Sequence, residues 1–158
     1  MRKHFYPFIS VLVVLFDQLT KHLVRNFIDP FETIKVLPFL HLISIRNEGA
    51  AFGLFKGFGN VTFIIVSIAA IMFVIYLMLK SNEDKLGLSL ILGGAIGNLI
   101  DRVISGSVTD FIDVFAGRLH WPAFNVADSA LTIGLAVMIV RSVFYLKKGE
   151  KADVSGIN

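Results

Sequence analysis

The stretch FNVADSALTIGLAVMIV, residues 124–140, decides how this chain is read. From Val126 onward it continues as an apolar run of the length needed to cross a bilayer, about 20 mostly apolar residues. Yet it opens on Asn125 and Asp128. Upstream, GNLIDRVISGSVTDFID, residues 97–113, closes another apolar run and carries Asp101, Asp110 and Asp113. Ionisable groups at a bilayer are costly and are functional candidates by default. The carboxylates that end one run and begin the next are therefore where chemistry is first sought.

Two more apolar runs lie upstream. Residues 6–27 are interrupted by Asp17 and Lys21, and residues 61–79 carry no charge. With residues 86–104 and 126–146, the chain has four spans; core helices of a soluble domain could account for one. The composition agrees: 55% of the 158 residues are hydrophobic, against roughly 45–50% in soluble domains, and the mean hydropathy is +0.74. The expectation is one integral-membrane domain over residues 1–158. It is an all-α polytopic membrane protein with four transmembrane helices, links at about 28–60 and 105–125, and a solvated, disordered tail at about 147–158. The opening MRKHFYPFISVLVVLF imitates a secretory signal peptide, but no small-residue cleavage site follows. It is read as a retained first helix.

Four spans put both termini and the short link KSNEDK, residues 80–85, on one side. That side carries Arg2, Lys3, Lys80, Lys85, Lys147, Lys148 and Lys151; the other carries Arg25, Lys35, Arg46, Lys56 and Arg118. The positive-inside bias puts the termini in the cytoplasm and both long links outside. In the first long link, HLISIR, residues 41–46, has the β-branched content of a strand. NEGAAFGLFKGFG, residues 47–59, has glycines for turns and apolar side chains suited to an interface. A small extracytoplasmic β platform with a short interfacial helix is expected there.

The third span travels outward and the fourth inward. Asp110, just past one, and Asp128, in the first turn of the other, therefore reach the same face. Two close carboxylates resist ionising together and share a proton. One can then take a proton from water while the other polarises a carbonyl, as in aspartic proteases, without a nucleophilic side chain. Spacing alone does not choose between Asp110 and Asp113, which also suit a solvated loop. Asp101 lies nine residues before Asp110, roughly 13 Å away on a continuous helix, and is read with Asn98 and Arg102 as a polar clasp between helices. Asn125 and Asp128 also have capping-box spacing. The helix dipole favours an ionised Asp128 and leaves Asp110 as the proton carrier. Asp17 and Lys21, four apart, form an intrahelical ion pair facing inward. Arg46 and Asn47 end the strand, either as a turn or as polar groups aimed at a substrate backbone. GGAIG, residues 93–97, allows close helix packing.

Other chemistries lack residues. There is no Cys, so thiol catalysis, disulfides and thiolate metal sites are absent. The four histidines have no metal-ligand spacing, and there is no GxSxG, HExxH or phosphate loop. No basic stripe with interleaved aromatics suggests nucleic acid. No cofactor is expected.

In this order, DQLTK, RNEGAAFG, GNLIDR, VTDFID and FNVADSA over four spans resemble the bacterial lipoprotein signal peptidases, also called signal peptidase II. The resemblance covers nearly the whole chain. It implies an aspartic endopeptidase of the cytoplasmic membrane; because one chain suffices to build the dyad, a monomer is expected. Such an enzyme removes signal peptides from diacylglyceryl-modified prolipoproteins just before the lipidated cysteine, and binds globomycin. It implies Asp110 and Asp128 as the catalytic pair. Asn47, Gly49, Asn98, Arg102 and Asn125 fall on positions used for substrate or dyad support; Asp17, Lys21, Asp101 and Ala127 fall on supporting positions beside them. Arg46 is counted with this polar support. VFAGRLHWPA, residues 114–123, is given a flexible, substrate-covering role. The rival class is a small proton-coupled transporter with intramembrane acids as its relay; a structural assembly factor is a third reading.

Overall fold

The computed structural model describes residues 5–49, 59–80 and 84–155. Helix α1 (Phe5–Phe27) is followed by strands β1 (Ile34–Leu37) and β2 (Leu40–Asn47). Helices α2 (Gly59–Lys80) and α3 (Lys85–Ser105) come next, then β3 (Val108–Ala116), β4 (Leu119–His120) and α4 (Val126–Ser155). All four helices are long and apolar enough to cross a membrane, over Tyr6–Phe27, Gly59–Lys80, Lys85–Ser105 and Val126–Phe144. Their ends differ from the expected spans by at most two residues.

Helix α3 is the hub and packs on the other three. Half of its apolar window is buried inside the protein, against 6% for α2, the most apolar helix. The reason lies in its small residues. A side chain at Gly94 would strike the Ala127 carbonyl of α4, and one at Gly93 would meet Val13 of α1 at 2.7 Å. The backbones of α1 and α4 thus close on α3, while α2 exposes Val61, Ile65, Val66, Met72 and Phe73. Without water to drive helices together in a bilayer, such close backbone contact is what holds them.

The strands form one antiparallel sheet in the order β1-β2-β3-β4. It sits where α1 and α3 end and α2 and α4 begin, because all its strands lie in the two links at that end. Val24 of α1, Ile28 just past its end and Phe111 of β3 form a small core, with Leu42, Ile112 and Val126 packed against it. Strand β2 covers the HLISIR stretch as expected. The interfacial helix was expected within residues 47–59, and residues 50–58 lie outside those described.

Three differences from the sequence reading are evident. Asp110 and Asp113 are not solvated loop acids: both lie in β3 and are 3% and 7% exposed. The run VTDFIDVFA is rich in β-branched and aromatic residues, which suit a pleated surface. Residues 114–123 form a hairpin, β3–β4, turned at Gly117 with φ +63°. Helix α4 continues to Ser155, into the stretch expected to be a disordered tail. Glu150, Lys151 and Ala152 favour a helix there.

Candidate active site

Two local devices bring the acids together. Helix α3 stops at Gly106, whose φ of +74° is accessible to glycine without strain. The chain reverses there and enters β3 directly. At the other end of the link, Phe124 pairs with β3: the Phe111 and Ile112 amides donate to its carbonyl at 3.0 and 2.8 Å, and its own amide donates to the Ile112 carbonyl at 3.1 Å. This pairing sets Asn125 beside Asp110 one residue before α4 begins.

Asn125 is fully buried and connects both acids. Its Nδ2 donates to Asp110 Oδ1 at 2.7 Å. Its Oδ1 accepts from the Asp128 amide at 2.9 Å, and its own amide donates to Asp128 Oδ2 at 3.2 Å. That reciprocal pair is the capping box anticipated from spacing. Asn98 Nδ2 donates to Asp128 Oδ1 at 2.7 Å, and Asn47 Nδ2 donates to Asp110 Oδ2 at 2.9 Å. Each carboxylate therefore accepts hydrogen bonds on both oxygens.

Strand alternation separates the two β3 acids. Residues three apart on a strand point to opposite faces. Asp110 faces Asn47, which lies diagonally across the sheet, since Asn47 is in register with Val108. Asp113 faces away; it meets His120 Nδ1 at 2.8 Å and His41 Nδ1 at 3.5 Å. Burial pushes the Asp110 carboxyl up to about 6, and the neighbouring Asp128 charge adds to this. The hydrogen bonds from Asn47 and Asn125, and the Lys21 charge, act in the opposite direction.

Behind the acids lies a second polar layer. Asp17 and Lys21 are both fully buried and pair at 2.8 Å. Asp17 Oδ1 accepts from the Ala127 amide at 2.9 Å, fixing the start of α4 against α1. Lys21 Nζ donates to Asn98 Oδ1 at 3.0 Å and lies 3.4 Å from Asp101. Asp101, 1% exposed, accepts from the Thr109 amide at 3.0 Å. It thus supports Asp110 from behind and does not line the cavity. Every buried side-chain nitrogen and oxygen among the described residues has a partner.

The acids open onto a cavity of about 570 Å³ lined by Asn47, Gly49, Asn98, Arg102, Asp110 and Asp128 on its polar side. Trp121, Pro122, Phe124, Leu131 and Ile133 supply apolar wall. The hairpin of residues 114–123 thus delivers Trp121 and Pro122 to the cavity. Arg102 donates to the Gly49 carbonyl at 3.3 Å and lies over the Phe63 ring at 5.3 Å. Gly49 in turn donates its amide to Asn47 Oδ1 at 3.0 Å.

Of the residues singled out by sequence, Arg46 and Asp113 do not join this assembly, Asp113 being held by His41 and His120 on the opposite face of β3. Arg46 is exposed, and as neighbour of Asn47 it points to the other face of β2. Sequence reading missed Gln18, Arg25 and Thr109. Gln18 Nε2 donates to Asp17 at 3.1 Å, to the Gly97 carbonyl at 3.0 Å and to Asp101 at 3.3 Å. Arg25 donates to Asp101 at 3.2 Å and to the Thr109 hydroxyl at 3.1 Å. The signal for Arg25 was present: Asp17, Lys21 and Arg25 recur every four residues along one helix face.

Comparison with known proteins gives a consistent result. A family model described as Signal peptidase (SPase) II matches residues 9–144. The lipoprotein signal peptidase of Thermodesulfovibrio yellowstonii is 46% identical over 132 residues, covering 84% of this chain and 90% of that protein. The lipoprotein signal peptidase of Paraburkholderia phymatum is 42% identical over 137 residues, covering 83% of this chain and 82% of its own. A solved bacterial membrane enzyme superposes with a TM-score of 0.81 at 38% identity, covering 87% of both chains.

Proposed function

This chain belongs to the signal peptidase II family of membrane proteases, the lipoprotein signal peptidases, and on that premise we propose that Asp110 and Asp128 are the catalytic dyad of an aspartic endopeptidase. Its substrates are diacylglyceryl-modified prolipoproteins, cut just before the lipidated cysteine. The observation that carries this reading is the shared Asn125, which binds Asp110 through its side chain and caps Asp128.

The chemistry follows from that arrangement. Asp128 takes a proton from a water molecule, and the resulting hydroxide attacks the scissile carbonyl carbon. Asp110, carrying the dyad's proton, gives it to the carbonyl oxygen as the tetrahedral intermediate forms. On collapse, Asp128 passes its proton to the leaving amide nitrogen, the C–N bond breaks, and Asp110 recovers a proton from the hydroxyl. The raised Asp110 pKa of about 6 suits the donor role. Asn47, Gly49, Asn98 and Arg102 border the cavity and can hold the peptide backbone across the dyad, and positioning is a large share of catalysis.

The apolar wall of Leu131, Ile133, Trp121 and Pro122 suits the acyl chains and the signal helix arriving from lipid. With both termini cytoplasmic, the cavity opens at the outer leaflet of the cytoplasmic membrane. One chain supplies both acids, so a monomer suffices. Globomycin would compete for the same cavity.

The test is cleavage of a diacylglyceryl-modified prolipoprotein by purified protein in detergent, followed by mass spectrometry. The expected product begins at the lipidated cysteine, and Asp110→Asn and Asp128→Asn, each folded, yield none. Persistent cleavage by either variant removes that residue from the mechanism.

A further inference from the structure

Arg25 belongs to none of the stretches that mark the family likeness, yet it reaches the layer behind the dyad. Its side chain is 30% exposed at the rim of that layer. One guanidinium nitrogen, Nη1, bridges Asp101 Oδ1 at 3.2 Å and Thr109 Oγ1 at 3.1 Å. Thr109 is the residue before Asp110, and its amide donates to the other oxygen of Asp101 at 3.0 Å. Arg25, Asp101 and Thr109 thus close a ring that ties the start of β3 to α1 and α3. Through that ring Arg25 bears on where Asp110 stands.

The ring also matters for charge. The polar layers hold four carboxylates, Asp17, Asp101, Asp110 and Asp128, and three cations, Lys21, Arg25 and Arg102. Four negative charges against three positive leave one unbalanced, and a single proton on the dyad restores neutrality. Uncompensated charge away from water is strongly disfavoured. The remaining ionisable groups on these elements lie elsewhere. His22 of α1 is exposed and bound to Asn26, Arg46 and Glu48 are exposed, and Asp113 is engaged with His41 and His120 on the opposite face of the sheet.

We propose that Arg25 is a positioning residue for this enzyme: it anchors Thr109 so that Asp110 is held toward Asp128, and from the rim it supplies the cation that makes the one-proton dyad the neutral state of the polar layers. The proposal rests on the dyad assignment above. A neutral replacement leaves the polar layers one charge more negative. Both limbs of the pH–rate profile then move to higher pH, because the dyad holds its proton more tightly.

The experiment measures kcat and KM against pH for four forms of the full chain: wild type, Arg25→Lys, Arg25→Gln, and Arg25→Gln combined with Asp101→Asn. Arg25→Gln is expected to move the profile up by about one pH unit and to lower kcat about tenfold with KM little changed. Arg25→Lys keeps the charge and loses the two-way bridge, so its profile stays in place while kcat falls. The double variant removes one charge of each sign and returns the profile to the wild-type position. A packing role alone would not produce that return.

A folded Arg25→Gln protein with the wild-type profile overturns the proposal, whatever its kcat. So does a double variant whose profile remains displaced, and this arm decides the matter even if Arg25→Gln alone fails to fold. Asp110→Asn and Asp128→Asn run in parallel separate the two levels. If they still cleave, the dyad assignment falls and takes the proposal with it. If they are inactive while Arg25→Gln is unshifted, only the proposal falls.

Discussion

Asp110 combines burial with two amide donors, and these oppose one another. Burial disfavours its charge, while Asn47 and Asn125 stabilise it; burial prevails and the pKa rises to about 6. The sign for stability follows. An acid whose pKa is raised on folding is bound to its proton more tightly in the native state. Its destabilising effect is absent below about pH 4 and complete above about pH 6. Asp110→Asn lacks that titration. The stability difference, variant minus wild type, should therefore increase by about 2–3 kcal/mol between pH 4 and pH 7. Thermal unfolding in detergent at the two values measures it, and a pH-independent difference would rule out the raised pKa. For catalysis, kcat/KM should decline as the pH passes upward through the free enzyme's Asp110 titration.

At the scale of elements, the contact between α3 and α4 depends on what is missing from α3. Gly94 faces the Ala127 carbonyl so closely that a methyl group has no room, and its next neighbour there, Leu131 Cγ, is 2.9 Å from the same point. Backbone cannot yield as a flexible side chain can. Gly94→Ala must push α4 outward, which moves Asn125 and Asp128 relative to Asp110. The expected cost is about 1–3 kcal/mol of stability, with a loss of cleavage larger than that instability explains. Comparing kcat with the folded fraction checks this. Gly97 is held by a different neighbour, since a side chain there would meet Asp17 Oδ2 at 2.6 Å and disturb the Asp17–Lys21 pair. Two glycines of one short run thus protect two parts of the site.

For the molecule as a whole, the connectivity of four helices puts both long links at one end; the sheet is built from those links, and the cavity lies between them and the adjoining ends of α3 and α4. The proposed orientation, drawn from the charge bias, puts that end outside. The absence of cysteine permits a clean test with single introduced cysteines. Arg118→Cys, at the exposed turn of the β3–β4 hairpin, should react with a membrane-impermeant maleimide in intact cells. Lys80→Cys, at the opposite end of the bundle, should react only after the membrane is opened. The reverse pattern would invert the enzyme and place its cavity at the cytoplasmic face.

Sequence alone determined the four spans, because four long, mostly apolar runs have few other uses. It also determined the capping of α4, because Asn125 and Asp128 lie within four residues of each other and local geometry suffices. The choice of Asp110 over Asp113 is proposed from family likeness, and only the fold separates the surroundings of the two acids. Once VTDFID is a strand, residues three apart face opposite ways. The link was harder to recognise as strands because β structure is stabilised by partners distant in sequence, here β2 and Phe124. The same holds for Arg25, Gln18 and Thr109. Their roles arise from contacts across 76 to 84 positions, and no local pattern specifies which acid a distant cation will meet. Arg46 shows the converse: beside Asn47 in sequence, it is turned from the site by the two-residue period of a strand.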